Sequence, residues 1–112
     1  MQREYQVQNV EVVLNRRYGG FGLSRLAMDR LLELGFELTE GEKVYYPKVR
    51  AETGYFSYDP VNLLRHDPRL VQVVRELGQA SWGDSAKLEI KTVYCRYWIN
   101  DFDGRETLID GV

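Results

Sequence analysis

Cysteine is almost missing from this chain of 112 residues, and Cys95 stands alone. A single thiol excludes an internal disulfide framework and any metal site built from cysteines. No apolar run approaches the roughly 20 residues that cross a bilayer. The polar start, MQREYQVQ, does not read as a signal peptide, so a cytoplasmic location is expected. An excess of either charge is missing too: 15 Lys and Arg face 17 Asp and Glu, a net charge of -2. Chains that live on duplex nucleic acid concentrate basic residues. Here acids interleave with them, which disfavours duplex DNA or RNA but leaves room for a local small-anion pocket. Linkers, repeats and low-complexity tracts are also lacking, so residues 1–112 are expected to form one domain. Such a domain buries about 65% of the surface its unfolded chain exposes, enough for a core without staples.

What the chain does have is an unusual corner. NRRYGGFGLS places Gly19, Gly20 and Gly22 within four positions, behind Arg16 and Arg17 and ahead of Ser24. Residues 7 to 14, VQNVEVVL, read as a largely buried first strand. Ser24 is a suitable N-cap for a helix over about residues 24 to 34, with Leu23, Ala27, Leu31 and Leu34 at helical spacing and Gly35 as its stop. A second helix is predicted over 68 to 77, capped by Asp67, opened by Pro68 and ended by Gly78. Leu88 and Ile90, with Thr92 as a weaker third, mark one face of a strand that contains Cys95 near its end. Residues 96 to 109 read as a hairpin turning at Asp103-Gly104. Between the helices, residues 36 to 62 suit a hairpin or ordered loop, rich in Tyr45, Tyr46, Tyr55, Phe56 and Tyr58. The expected fold is α+β, a mainly antiparallel sheet covered by two helices.

Glycines between a strand end and a helix start let backbone amides converge, and the helix adds partial positive charge. The corner therefore reads as a candidate anion seat. Gly19, Gly20 and Gly22 give access, Arg16, Arg17 and Ser24 supply donors, and Tyr18 and Phe21 offer stacking. Arg65 is a further candidate for a phosphate, or an ion-pair partner for Asp67. No Walker motif or dinucleotide fingerprint is present. The structural alternative is a tight turn needing positive φ, with Phe21 in the core. Asp101, Asp103 and Glu106 form an acidic group at the last hairpin, suited to a cation, to acid–base work, or to capping its own turn. His66 stands beside a helix start without any nucleophile motif nearby.

The corner, the segment RHDPRLVQVVRELG and the terminal YWINDFDGRETLI together resemble a family of small uncharacterised proteins found mainly in bacteriophages and prophages. The resemblance implies a phage setting and a shared role for Gly19, Gly20, Phe21, Ser24, Arg65, Asp67, Asp103, Gly104 and Glu106, and it brings no activity with it. Three function classes follow. The first is an accessory protein binding a small phosphorylated ligand, with a counter-defence sponge for a nucleotide second messenger as its concrete form. The second is a protein-binding inhibitor that meets a host protein through the tyrosine-rich segment. The third is a small enzyme of nucleotide metabolism, for which no nucleophile–base pair, catalytic residue or cofactor signature is legible. A homo-oligomer is expected, because one small domain offers little concave surface.

Overall fold

The computed structural model describes residues 4–37, 59, 60 and 62–111. Among them the chain runs β1 (Tyr5–Gln6), β2 (Val10–Asn15), α1 (Arg25–Glu33), α2 (Pro68–Leu77), β3 (Leu88–Val93), β4 (Arg96–Phe102) and β5 (Arg105–Gly111). The fold is α+β, with every strand pair antiparallel. The expected hairpin or loop within 36 to 62, with its aromatics Tyr45, Tyr46, Tyr55, Phe56 and Tyr58, falls mainly outside the described residues.

β2 is the centre of the molecule. Val12 and Leu14 face a cluster completed by Val93 and Tyr97, with Tyr5, Ile99 and Leu108 against it. Val13 faces the other way, among Leu31, Leu70, Val74 and Leu88. A strand covered on both sides has no solvent face to mark with polar residues, which is why VEVVL carries an almost unbroken apolar run. The result is three layers: the helices, the β2–β3 pair, and a second sheet ordered β1–β4–β5. One sheet under two helices was the expectation. The strands instead divide into two sheets, and the helices pack on the smaller.

The division happens at Tyr94 and Cys95, where the chain turns out of β3. Their carbonyls accept from Asn9 N (3.1 Å) and Val7 N (2.8 Å), so the link between β1 and β2 turns with them. Cys95, expected inside a strand, is exposed in this turn.

Both helices start as their sequences dictate. Ser24 Oγ accepts from Ala27 N (3.2 Å) and donates to the Ala80 carbonyl (2.6 Å), fastening the start of α1 to the 3-10 turn Gly78–Ser81. Asp67 accepts from Arg69 N at 2.8 Å ahead of Pro68, and the Arg69 guanidinium holds its carboxyl below the ordinary range. Asp67→Ala should therefore lower stability by about 1 kcal/mol, the usual worth of an N-cap, read as a shift in urea midpoint. The outward face of β4 and β5 carries the cross-strand pairs Trp98–Ile109, Asn100–Thr107 and Phe102–Arg105. Neither core cluster includes Trp98, Phe102 or Ile109.

Candidate functional site

The glycine corner does admit a close approach, and the backbone of the last hairpin makes it. Gly19 N donates to the Asp103 carbonyl at 3.2 Å. A Cβ on Gly104 would stand 2.8 Å from Gly19 N and Gly19 C, and inside contact distance of Gly20 N. Gly19, Gly20 and Gly104 hold φ of +113°, +110° and +88°, values that L side chains rarely adopt. The two turns thus interlock backbone to backbone.

Asn15 locks this junction from beneath. Its side chain is fully buried, and its Nδ2 donates to the carbonyls of Arg17 and Gly104, each at 2.7 Å. Its Oδ1 accepts from Lys87 N (2.9 Å) and Arg17 N (3.3 Å), so both ends of the amide are satisfied.

Beside Asn15 lies an ion pair. Glu106, 3% exposed, receives Arg65 in a fork: Nη1 donates to Oε1 at 2.5 Å and Nη2 to Oε2 at 2.8 Å. Asn15 N also donates to Oε1, at 2.7 Å. The Arg65 guanidinium carbon stands 3.6 Å from the Phe21 ring centroid, a cation–π stack. Val13 N donates to the Arg65 carbonyl at 2.9 Å. Val13 and Asn15 turn their amides away from β3, and Arg65 and Glu106 satisfy them.

The sequence-predicted site residues therefore sort into three groups. Arg65, Phe21, Gly19, Gly20, Gly22 and Ser24 are held by the protein itself. Gly22 is buried, and its carbonyl accepts from Gly83 N at 2.8 Å. Arg16 is partly held, donating through Nη1 to the Glu106 carbonyl at 2.8 Å and pairing with Glu89 at 3.5 Å. Arg17 and Tyr18 face outward. Tyr18 is 54% exposed, and the Arg105 guanidinium lies 5.8 Å from its ring centroid. Across the strand pair from Arg105 stands Phe102, 74% exposed. Neither Arg17 nor Arg105 forms an ion pair among the described residues. Arg105 and Phe102 were not singled out from sequence. The alternation after Asp103-Gly104 puts them on one face, a signal that becomes usable once the hairpin register is known.

The acidic group disperses. Glu106 is consumed by Arg65, and Asp101 Oδ1 caps its own turn through Gly104 N at 2.8 Å. Asp103 adopts φ +52° at the turn tip. Arg65 pairs with Glu106 rather than with Asp67, whose partner is Arg69 at 2.7 Å. Among the described residues, no group of three or more His, Cys, Asp and Glu is placed to hold a metal ion.

Two cavities open among the described residues, one of them against the Arg65–Glu106 pair. One of about 500 Å³ is lined in part by Asp59, Asp101, Arg65, Glu106 and Tyr5. Burial pushes the Asp59 carboxyl above the ordinary range, and Glu106 adds to this against the pull of Arg65. The other, of about 470 Å³, runs between β2 and α2 past His66, Glu11 and Arg75. His66 Nδ1 and the Tyr97 hydroxyl share a hydrogen bond of 2.6 Å. Burial lowers the His66 pKa, against the pull of Asp67. Below pH 6.5 the unfolded histidine then binds its proton before the folded one does. Its contribution to stability is whole above that pH and drains away as pH falls toward the lower folded value. His66→Gln should flatten this part of the stability–pH curve, measured by urea melts between pH 7.5 and 5.5.

No known protein family, curated protein or solved structure matches the chain.

Proposed function

We propose that the protein is a non-catalytic binder of a phosphorylated, base-bearing ligand, and that the outer side of the glycine corner receives it. The observation that carries this reading is the exposed Tyr18–Arg105–Phe102 group, an arginine beside two aromatic rings with no carboxylate paired to it among the described residues. Rings of this kind stack on bases, and an unpaired guanidinium is a fork for phosphate oxygens. Arg17 stands next to Tyr18 as a second cation. The interlocked turns support the reading in a different way: they give these exposed side chains a rigid base, and pre-organisation reduces the cost of ordering on binding.

In a phage setting, which rests on the resemblance of the corner and hairpin, such a binder acts as a sponge for a nucleotide second messenger. A second copy of the chain would close the open side of the ligand, so the bound form is a homo-oligomer. Calorimetry against cyclic di- and trinucleotides and NAD-derived cyclic molecules tests the reading. Arg17→Ala or Arg105→Ala should weaken binding by about 1.5–3 kcal/mol, the worth of a hydrogen bond to a charged group. Light scattering should give a mass above the 13.1 kDa of one chain. Absence of binding below millimolar across the panel overturns the reading.

A further inference from the structure

The outward face of the β1–β4–β5 sheet extends the Tyr18–Arg105–Phe102 group into a track. β4 presents Arg96, Trp98, Asn100 and Phe102 on this side, and Arg105, Thr107 and Ile109 lie opposite on β5. The inward positions between them, Tyr97, Ile99 and Leu108, belong to the core. Trp98, half-buried, and Phe102, 74% exposed, share one face of one strand, about 13 Å apart at the usual rise per residue. Polar Asn100 and Thr107 stand between them. Arg96 and Arg105 mark the two ends, and these seven strand positions include no acid. Glu4, just ahead of β1 and beside Trp98 by register, forms an ion pair with Arg96 at 3.8 Å, which a phosphate at Arg96 would displace.

The two cavities among the described residues are lined by other positions. A free mononucleotide gains most of its affinity from a concave site. A flat face with two separated rings, polar groups between them and cations at its ends fits an extended polymer with a base every step and a charge between steps. A duplex hides those base faces, in agreement with the chain's lack of a basic excess.

We propose that this face binds single-stranded nucleic acid, with Trp98 and Phe102 each stacking on a base, Tyr18 taking a third, and Arg96 and Arg105 holding phosphates. The proposal rests on the reading of Tyr18, Arg105 and Phe102 given above and names its ligand class. An acidic protein segment is the competing occupant. Stacking rings without an apolar groove favour nucleic acid.

The test is fluorescence anisotropy of end-labelled ten-nucleotide RNA and DNA single strands, with the full chain, at 50 and 200 mM salt. Binding should weaken with salt, and Arg96→Ala/Arg105→Ala should reduce the logarithmic salt slope by about 1.4, two phosphates' worth for a single strand. Trp98→Ala and Phe102→Ala should each raise Kd about 5- to 150-fold. Trp98→Phe, which keeps a ring, should restore most of the affinity and guards against a folding artefact, as does an unchanged circular dichroism spectrum. A duplex of the same sequence should bind more weakly than its single strands. The inference is overturned if single strands fail to bind below millimolar, if Trp98→Ala binds as the parent does, if the duplex binds equally well, or if a polyglutamate peptide competes on equal terms. Binding of cyclic dinucleotides lost in Arg105→Ala but intact in Trp98→Ala, without oligonucleotide binding, would leave the small-ligand reading standing and remove this one.

Discussion

Glu106→Gln is expected to lower the stability of the protein by about 3–5 kcal/mol, the usual cost of breaking a buried ion pair from one side. The carboxylate accepts three N–H groups, two from Arg65 and one from Asn15. Glutamine has the same shape but a single acceptor oxygen, and its NH2 would be turned toward a guanidinium or a backbone amide. Arg65 has its side chain 20% exposed and its face against Phe21, so it cannot reach water freely for compensation. Arg65→Met/Glu106→Leu should recover part of the loss, because no charge is then buried unpaired. It should not recover all of it. Asn15 N would still lack an acceptor, which costs about 1–3 kcal/mol. Urea midpoints with an unchanged slope measure both effects. A loss under about 1 kcal/mol for Glu106→Gln would mean that the pair is solvated and worth no more than a surface contact.

The second large effect is expected at Gly104. An alanine there places its methyl against Gly20 N and Gly19, backbone atoms that cannot swing aside as a side chain does. It also holds a non-glycine residue at φ +88°. Strain and overpacking each cost about 1–3 kcal/mol, so the loss should reach about 2–6 kcal/mol. Gly20→Ala separates the two contributions. Its methyl would meet no atom within 4 Å, while φ stays at +110°, so only the backbone cost of about 1–3 kcal/mol applies. Equal losses for the two variants would show that the interlock contributes nothing beyond dihedral strain. Urea melts of both variants against the parent make the comparison.

Much of the local structure was legible because it depends on neighbours in sequence. Ser24, Asp67 and Pro68 announce helix starts through groups only two or three residues away. Asp103-Gly104 announces its turn for the same reason. The apolar run of β2 was legible as burial but silent on layers, since Val12 and Val13 read alike whether one sheet or two surround them. Asn15 could not be read at all. An asparagine at a strand end looks like turn chemistry, and its four side-chain hydrogen bonds reach residues 17, 87 and 104. Glu106 suffered in the same way. Its partner Arg65 is 41 residues distant, so proximity in sequence favoured Asp67 instead. The corner glycines were legible as access to backbone, although a sequence does not say whether the visitor is a ligand or another part of the chain.

The distance from Asn15 to Glu106 has a bearing on the chain's birth. These two residues are 91 positions apart: β2 gains β3 only once Val93 has been added, and the Glu106 carboxylate only later still. At ordinary elongation rates that interval is about 5 to 18 seconds. For most of it, until β3 has been made, a ribosome carries a nascent segment, VEVVLN, with both edges open. Such a strand is a template for self-association. Yield in a cell should therefore follow translation speed and holdase chaperone supply more closely than the equilibrium stability of the finished fold.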